Sequence, residues 1–132
     1  MIPPVWTPPQ LKALLVEDHP VAQRVHQAFL QKMGCLVDVA ENGRKALALS
    51  TQPYDIILLD INLPDLSGLE ICRTLRKHEL TAHTPIIALT AYGEIEEECL
   101  SAGIDIVISK PVIFEKLQTF MKRIIEHKKV AT

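Results

Sequence analysis

The chain has 132 residues, which predicts one domain, and 48% of them are apolar, enough to form a buried core. Its net charge of −2 gives no reason to expect direct nucleic-acid binding, and its apolar stretches are too short to cross a bilayer. The three cysteines form no Cys-x-x-Cys pair and residues 1–10 contain no secretory signal, so we expect buried, reduced thiols in a cytoplasmic protein.

Short apolar runs alternate with helical patterns along the chain. Residues 1–10 contain four prolines and are expected to be a linker or an arm, residues 11–129 the domain, and residues 130–132 a tail. The predicted strands are Leu11–Val16, Cys35–Ala40, Asp55–Leu59, Pro85–Leu89 and Ile104–Ile108. Helical spacing predicts helices after Pro20, over Gly43–Ser50, around Leu69–Arg76, over Glu94–Ala102 and from Phe114 onward. In the first of these, the apolar stripe is expected to be Val21, Val25, Ala28, Phe29 and Met33.

This alternation of five strands with five helices predicts an α/β fold. Right-handed crossovers would place helices on both faces of a parallel sheet. We therefore expect a doubly wound, flavodoxin-like sheet of five parallel strands in the order 2-1-3-4-5. In such a sheet, ligands bind beyond the carboxyl ends of the strands.

Polar residues lie one or two positions after the ends of four of the predicted strands. Glu17 and Asp18 follow the first strand, Asp60 the third, Thr90 the fourth and Lys110 the fifth. Three carboxylates pressed together repel one another unless a cation neutralises them, and Mg²⁺ prefers such oxygen ligands. A lysine and a hydroxyl nearby could contact phosphoryl oxygens.

Each of these residues also has a simpler interpretation. Asp60 alone would be a turn-forming aspartate, and Asp18 or His19 could cap the helix that begins at Pro20. Thr90 or Lys110 alone would be a solvated surface residue. The combination favours a phosphoryl site that uses Mg²⁺. The five histidines share no metal spacing, so surface or capping roles are expected for them, and His19 could line the mouth of the site.

Four segments together resemble the receiver domain of two-component response regulators, over roughly residues 11–127. They are Leu15-Val16-Glu17-Asp18, Asp60 through Gly68, Leu89-Thr90-Ala91 and Ser109-Lys110-Pro111. Each segment alone is weak evidence for the family, but the occurrence of all four in this order is specific to it.

The resemblance implies a role for each site residue. Asp60 would accept a phosphoryl group from a phosphohistidine of a histidine kinase or a histidine phosphotransfer domain. Glu17, Asp18, Asp60 and the backbone carbonyl of Asn62 would hold Mg²⁺. Lys110 would pair with phosphoryl oxygens, and the Thr90 hydroxyl would turn toward the phosphate and help to switch the output face. The domain would act as a monomer or a weak homodimer, without binding a membrane itself.

Two features leave alternatives open. Many receivers have Tyr or Phe three residues before the lysine, where this chain has Val107, so the coupled rotation of a hydroxyl and an aromatic side chain would lack its aromatic residue here. The proline-rich leader favours a receiver from a hybrid sensor histidine kinase over a stand-alone regulator. A metal-dependent phosphatase with an aspartyl-phosphate intermediate is a further alternative, but Asn62 stands where such enzymes usually have an acid. The complete set of acids, Thr90 and Lys110 argues against an inert pseudo-receiver.

Overall fold

The computed structural model of the protein describes residues 10–91 and 96–131, the last four as backbone only. The expected arm lies outside these residues except for Gln10. The strands are β1 (Lys12–Val16), β2 (Leu36–Ala40), β3 (Ile56–Asp60), β4 (Ile86–Thr90) and β5 (Ile106–Ser109). The helices are α1 (Pro20–Lys32), α2 (Gly43–Leu49), α3 (Gly68–Arg76), α4 (Glu96–Ala102) and α5 (Phe114–Ala131). α5 therefore extends two residues into the segment expected as a tail.

All five strands belong to one parallel sheet in the order β2-β1-β3-β4-β5, which confirms the predicted flavodoxin-like topology. β3 and β4 are buried along their whole length. Both faces of these central strands are covered by helices, which explains why their sequences are continuously apolar rather than alternating.

The sheet separates two hydrophobic cores. On one face, Leu14 and Ile57 pack with α2, α3 and α4. On the other face, Leu15 and Leu58 pack with α1 and α5. Successive strand residues point to opposite faces, so each central strand contributes to both cores and the carboxyl ends of the strands are held at a common edge.

The helix ends account for much of the local sequence. His19 is the N-cap of α1 and its side chain accepts from the N–H of Ala22 at 3.5 Å, so His19 rather than Asp18 takes the capping position. Asn42 and Ser67 cap α2 and α3 in the same way. Gly34, predicted to terminate α1, follows that helix with a φ of 88°.

The predicted fifth strand began too early. The N–H of Ile104 donates to the carbonyl of Cys99, and that of Gly103 donates to the carbonyl of Leu100. Gly103 has a φ of 107°, so these residues close α4 in a Schellman arrangement instead of starting β5. The first two residues of the predicted fourth helix, 94 and 95, lie outside the described residues.

The apolar stripe predicted for α1 was also partly wrong. Val21 and Val25 are exposed, whereas His26 and Leu30 are buried against the sheet. Phe29 and Met33 of the predicted stripe do pack against the core beneath α1 as partly buried side chains, so the error concerns the first two turns of α1, where the valines face solvent. The exposed valines therefore leave an apolar surface beside the carboxyl end of β1.

The remaining composition-based predictions concern cysteines and membranes. Cys35, Cys72 and Cys99 are buried, as expected, and none of them is in a disulfide in this structure. Within the described ranges, no helix combines the length and hydropathy needed to span a bilayer.

Candidate functional site

Three carboxylates converge at the carboxyl edge of the sheet. Carboxylate oxygens of Glu17, Asp18 and Asp60 all lie within 4.8 Å of one another. Glu17 continues β1, since its N–H donates to the carbonyl of Ala40 at the end of β2, and Asp60 is the last residue of β3. Glu17 and Asp60 are buried while Asp18 is exposed, so the cluster opens to solvent on one side.

Lys110 brings a positive charge to the same place. Its N–H donates to the carbonyl of Thr90 at 2.7 Å, which extends the pairing of β5 with β4. Its Nζ lies 3.0 Å from Oδ2 of Asp60 and 3.6 Å from Oε1 of Glu17. The bond between Lys110 and Pro111 is cis. By the two Nζ distances, the lysine contacts both buried acids.

The loop after β3 packs tightly under Asp60. The N–H of Asn62 donates to Oδ1 of Asp60 at 2.9 Å, and the N–H of Gly68 donates to the carbonyl of Ile61. A Cβ on Gly68 would lie 2.7 Å from Cα of Ile61 and 2.8 Å from the carbonyl oxygen of Asp60. Only glycine fits there, and its close approach positions the segment that carries Asn62.

The same loop is tied to α2 by an aspartate that the sequence interpretation left without a role. The carboxylate of Asp65 accepts from the N–H groups of Gly43 and Arg44 at 2.8 and 3.0 Å. The hydrogen bond from Gly43, with those from other backbone groups, lowers the pKa of Asp65. The sequence indicates this contact only weakly: aspartate is a residue type that often accepts hydrogen bonds from the first N–H groups of a helix, but Asp65 is distant in sequence from α2.

The pKa values of the two buried acids, Glu17 and Asp60, are shifted in opposite directions. Burial, followed by the effect of the nearby Asp60, raises the pKa of Glu17 to about 8, although the charge of Lys110 acts in the opposite direction. Burial also acts to raise the pKa of Asp60, but Glu17, the N–H of Asn62 and Lys110 together lower it. The contacts with Asp60 and Glu17 outweigh burial and raise the pKa of Lys110. The metal-free site thus holds an ionised Asp60 beside a protonated Glu17 at neutral pH.

The donor set fits a small divalent cation that prefers oxygen. Oε1 and Oε2 of Glu17 are buried and have no hydrogen-bond partner. Buried polar atoms are normally paired, and an unpaired carboxylate in a cluster of acids is an expected partner for a hard cation such as Mg²⁺. Glu17, Asp18 and Asp60 are the residues that can hold it. Asn62 lies in the adjacent loop.

Thr90 and Val107 lie on the neighbouring strands. Thr90 is buried at the end of β4, and its pairing partner in β5 is Ser109. Val107 is half-buried and packs against the core that contains α2, α3 and α4. The predicted site residues Asp60 and Thr90 therefore end β3 and β4, and Lys110 directly follows the adjacent β5, while an aliphatic side chain occupies position 107.

His26 was missed by the sequence interpretation. A surface or capping role was expected, but the residue is 5% exposed and its Nδ1 lies 3.9 Å from Oε1 of Glu17. Burial and the charge of Lys110 lower the pKa of His26, although Asp60 opposes them. The helical spacing of His26 with Leu30 was the available signal. His19, His78, His83 and His127 are all exposed.

Comparisons with known proteins agree with this geometry. The response regulator receiver domain family matches residues 13–122. The chain is 42% identical over 118 residues to the aerobic respiration control sensor protein ArcB of Escherichia coli, a match that covers 87% of this chain and 15% of ArcB. It is 34% identical over 146 residues to a probable histidine kinase 1 of Oryza sativa, covering 85% of this chain and 15% of that protein. The chain thus spans about 15% of the length of these relatives.

Solved structures give the same result. One similar structure is the receiver domain of sensor histidine kinase PA1611 from Pseudomonas aeruginosa, which has a magnesium ion coordinated in its active site cleft. It is 38% identical to this chain in sequence and superimposes with a TM-score of 0.83. The match covers 89% of this chain and 99% of that chain. A second similar structure is the response regulator TrrA of Thermotoga maritima, solved in complex with Mg²⁺ and BeF. It is 33% identical to this chain and superimposes with a TM-score of 0.79, and the match covers 87% of this chain and 99% of that chain. The fold, the acidic cluster and these matches together show that the chain belongs to the response regulator receiver domain family.

Proposed function

We propose that this domain accepts a phosphoryl group on Asp60 from a phosphohistidine, with Mg²⁺ held by Glu17, Asp18 and Asp60. The observation that carries the proposal is the meeting of the three carboxylates with the Lys110 ammonium, 3.0 Å from Asp60. An aspartate that is ionised, buried and close to a fixed cation is suited to nucleophilic attack on phosphorus.

In the proposed transfer, a carboxylate oxygen of Asp60 bonds to phosphorus as the phosphorus–nitrogen bond of the donor breaks. The bonding electron pair leaves with the imidazole nitrogen, and Asp60 becomes an acyl phosphate. Bound Mg²⁺ would supply charge neutralisation for the phosphoryl oxygens. Lys110 contributes a second positive charge at the same oxygens and so stabilises charge that is spread over them in the transition state.

Two further residues complete the proposed site. The backbone carbonyl of Asn62 is an additional metal ligand, supported by its place directly after Asp60 in a loop that Gly68 holds close to the strand end. The Thr90 hydroxyl contacts the phosphoryl group, supported by its burial at the end of the neighbouring strand. With Val107 in β5, the movement of Thr90 has no aromatic partner at that position to displace.

The partner is a histidine kinase or a histidine phosphotransfer domain. The relatives named as sensor proteins and histidine kinases support this, and so does the surface near the acids. Val21 and Val25 on α1 are 62% and 42% exposed and follow the loop that carries Glu17 and Asp18. An apolar helical surface beside the acceptor suits docking of another helix. No direct contact of this domain with nucleic acid or membrane is needed for the transfer.

The parent protein is proposed to be a hybrid sensor histidine kinase in which residues 11–129 form a cytoplasmic receiver. Matches to about 15% of the length of sensor kinases support this. Phosphoacceptance would then be the role of this domain and kinase activity that of the rest of the protein. A stand-alone regulator, monomeric or weakly dimeric, is the alternative, and the coding sequence on both sides of these residues distinguishes the two.

Phosphotransfer with purified components tests the acceptor. A ³²P-labelled histidine phosphotransfer domain should transfer its label to the wild-type domain when Mg²⁺ is present and not when EDTA is added. Asp60→Asn should abolish labelling. Asp55→Asn is the matched control because it changes the aspartate beside the opposite end of the same strand. Equal labelling of wild type and Asp60→Asn would contradict the proposal, and rapid turnover of a simple phosphate ester would favour a phosphatase instead.

A further inference from the structure

Three buried side-chain atoms in the described part of the chain have no hydrogen-bond partner, and they belong to only two residues. They are Oε1 and Oε2 of Glu17 and Nδ1 of His26. The two residues face each other, with Nδ1 and Oε1 3.9 Å apart. Buried polar atoms without partners are rare, so two facing residues that share this property call for a common explanation.

The helix holds His26 against the site. His26 lies one turn before Leu30, which is fully buried between α1 and the sheet, so the imidazole is on the inward face of α1. The ring of Phe29 packs near it, with the ring centroids 6.2 Å apart. The imidazole therefore has little room to turn toward solvent. A side-chain shift of about 1 Å would bring Nδ1 within hydrogen-bond distance of Glu17.

We infer that His26 is a positioning residue for Glu17: its neutral imidazole donates from Nδ1–H to Oε1 and so orients the carboxylate for Mg²⁺. Lys110 Nζ approaches the same oxygen at 3.6 Å, so the two donors would engage Oε1 and leave Oε2 for the cation. Carboxylates that bind metals are commonly oriented by such outer hydrogen bonds. This inference rests on the proposed function because it requires a cation at the three acids.

Magnesium titration by isothermal calorimetry tests the inference without any phosphotransfer assay. His26→Leu should bind Mg²⁺ about tenfold more weakly than wild type, the usual cost of removing an outer partner of a metal ligand. His26→Gln keeps a donor at this position and should recover a large part of the affinity. His78→Leu makes the same substitution at an exposed histidine and should bind like wild type.

Measurements of unfolding in urea distinguish a positioning role of His26 from a role in packing alone. In EDTA, His26→Leu should unfold in urea at no lower concentration than wild type, because the substitution removes an unpaired buried nitrogen. Weaker Mg²⁺ binding without a loss of stability is a result that a purely structural role would not produce. Long-range ¹H–¹⁵N spectra of the wild-type protein add a measurement that needs no variant, and they should show Nδ1 of His26 protonated.

Several results would overturn the inference. Unchanged Mg²⁺ affinity in His26→Leu would contradict it while leaving the proposed function intact, and so would an Nε2–H tautomer in the wild-type protein. Equal loss of affinity in His26→Leu and His26→Gln would show that no donor is involved. A wild-type protein that fails to bind Mg²⁺ would remove both this inference and the proposed metal site.

Discussion

Addition of Mg²⁺ to the metal-free domain at pH 7 is expected to release close to one proton for each ion bound. The proton comes from Glu17, whose pKa is raised to about 8, mainly by burial and then by Asp60. A carboxyl group with that pKa is about 90% protonated at pH 7. Because a carboxylate must be ionised to bind a metal, the proton has to leave. Asp60 adds little to the number of protons released, since its pKa is lowered and it is already ionised at pH 7.

The same shift predicts how binding and stability depend on pH. Below pH 8, the apparent Mg²⁺ affinity should rise by up to about tenfold for each pH unit and then level off. The folded protein keeps a proton on Glu17 between its ordinary pKa of 4.5 and the raised value of about 8, whereas the unfolded chain does not. The stabilising contribution of that proton is therefore lost as pH rises through this window. The lowered pKa of Asp60 acts at the acidic end, where its contribution disappears as pH falls below 3.8.

Calorimetry in two buffers with different ionisation enthalpies measures the proton count directly. The binding heat plotted against the buffer enthalpy has a slope equal to the number of protons released, which we expect to be ~0.9 at pH 7. Glu17→Gln should bind Mg²⁺ more weakly and release almost no proton. Asp55→Asn should behave as wild type. A slope near zero for the wild-type protein would refute the assignment of a protonated Glu17.

Three substitutions give further expected outcomes. Lys110→Met should tighten Mg²⁺ binding severalfold in calorimetry, because it removes a positive charge 3.0 Å from Asp60, while slowing phosphotransfer. Arg76→Met should lower the free energy of unfolding in urea by about 3 kcal/mol, because Arg76 pairs with Asp105 and donates to four backbone carbonyls. Gly68→Ala should destabilise by about 1–3 kcal/mol, since its Cβ would meet backbone atoms at 2.7 and 2.8 Å.

The first two of these substitutions each have a clear contradicting result. Unchanged Mg²⁺ affinity in Lys110→Met would mean that the ammonium does not compete with the cation for the acids. An unfolding midpoint of Arg76→Met equal to that of wild type would show that water replaces the lost donors at little cost. Arg73→Met, at an exposed position of the same helix, is the control for the loss of an arginine.

The sheet and the acceptor cluster were predictable because the relevant signals are local. Continuous apolar runs mark strands that are covered on both faces, and the next residue after each run lies at the carboxyl edge. Glu17, Asp60 and Lys110 come together because parallel strands bring those positions to one edge. Strand order followed from the alternation of strands with helices and from the family resemblance.

The features that the sequence did not predict depend on contacts between segments that are distant in the chain. Whether His26 or Val25 faces the core depends on the rotation of α1 against the sheet, and two stripes of similar apolarity compete in that helix. The contact of Arg76 with Asp105 joins residues that are separated in the chain by one strand and one helix, β4 and α4. The end of α4 depended on the φ of Gly103, which permitted a closing turn where the sequence also suited a strand.

The sheet places the side chains of consecutive strand residues in two different cores. Leu14 and Leu15 are consecutive in β1, yet one packs with α2, α3 and α4 and the other with α1 and α5. Their side chains share no neighbours across the layer of backbone, so the losses of stability from Leu14→Ala and Leu15→Ala should add in the double variant. A pair that lies on one face, such as Leu15 and Leu58, should instead show coupling. The sheet thus divides the interior of the domain into two separately packed cores, and substitutions in one core are expected to be compensated within that core.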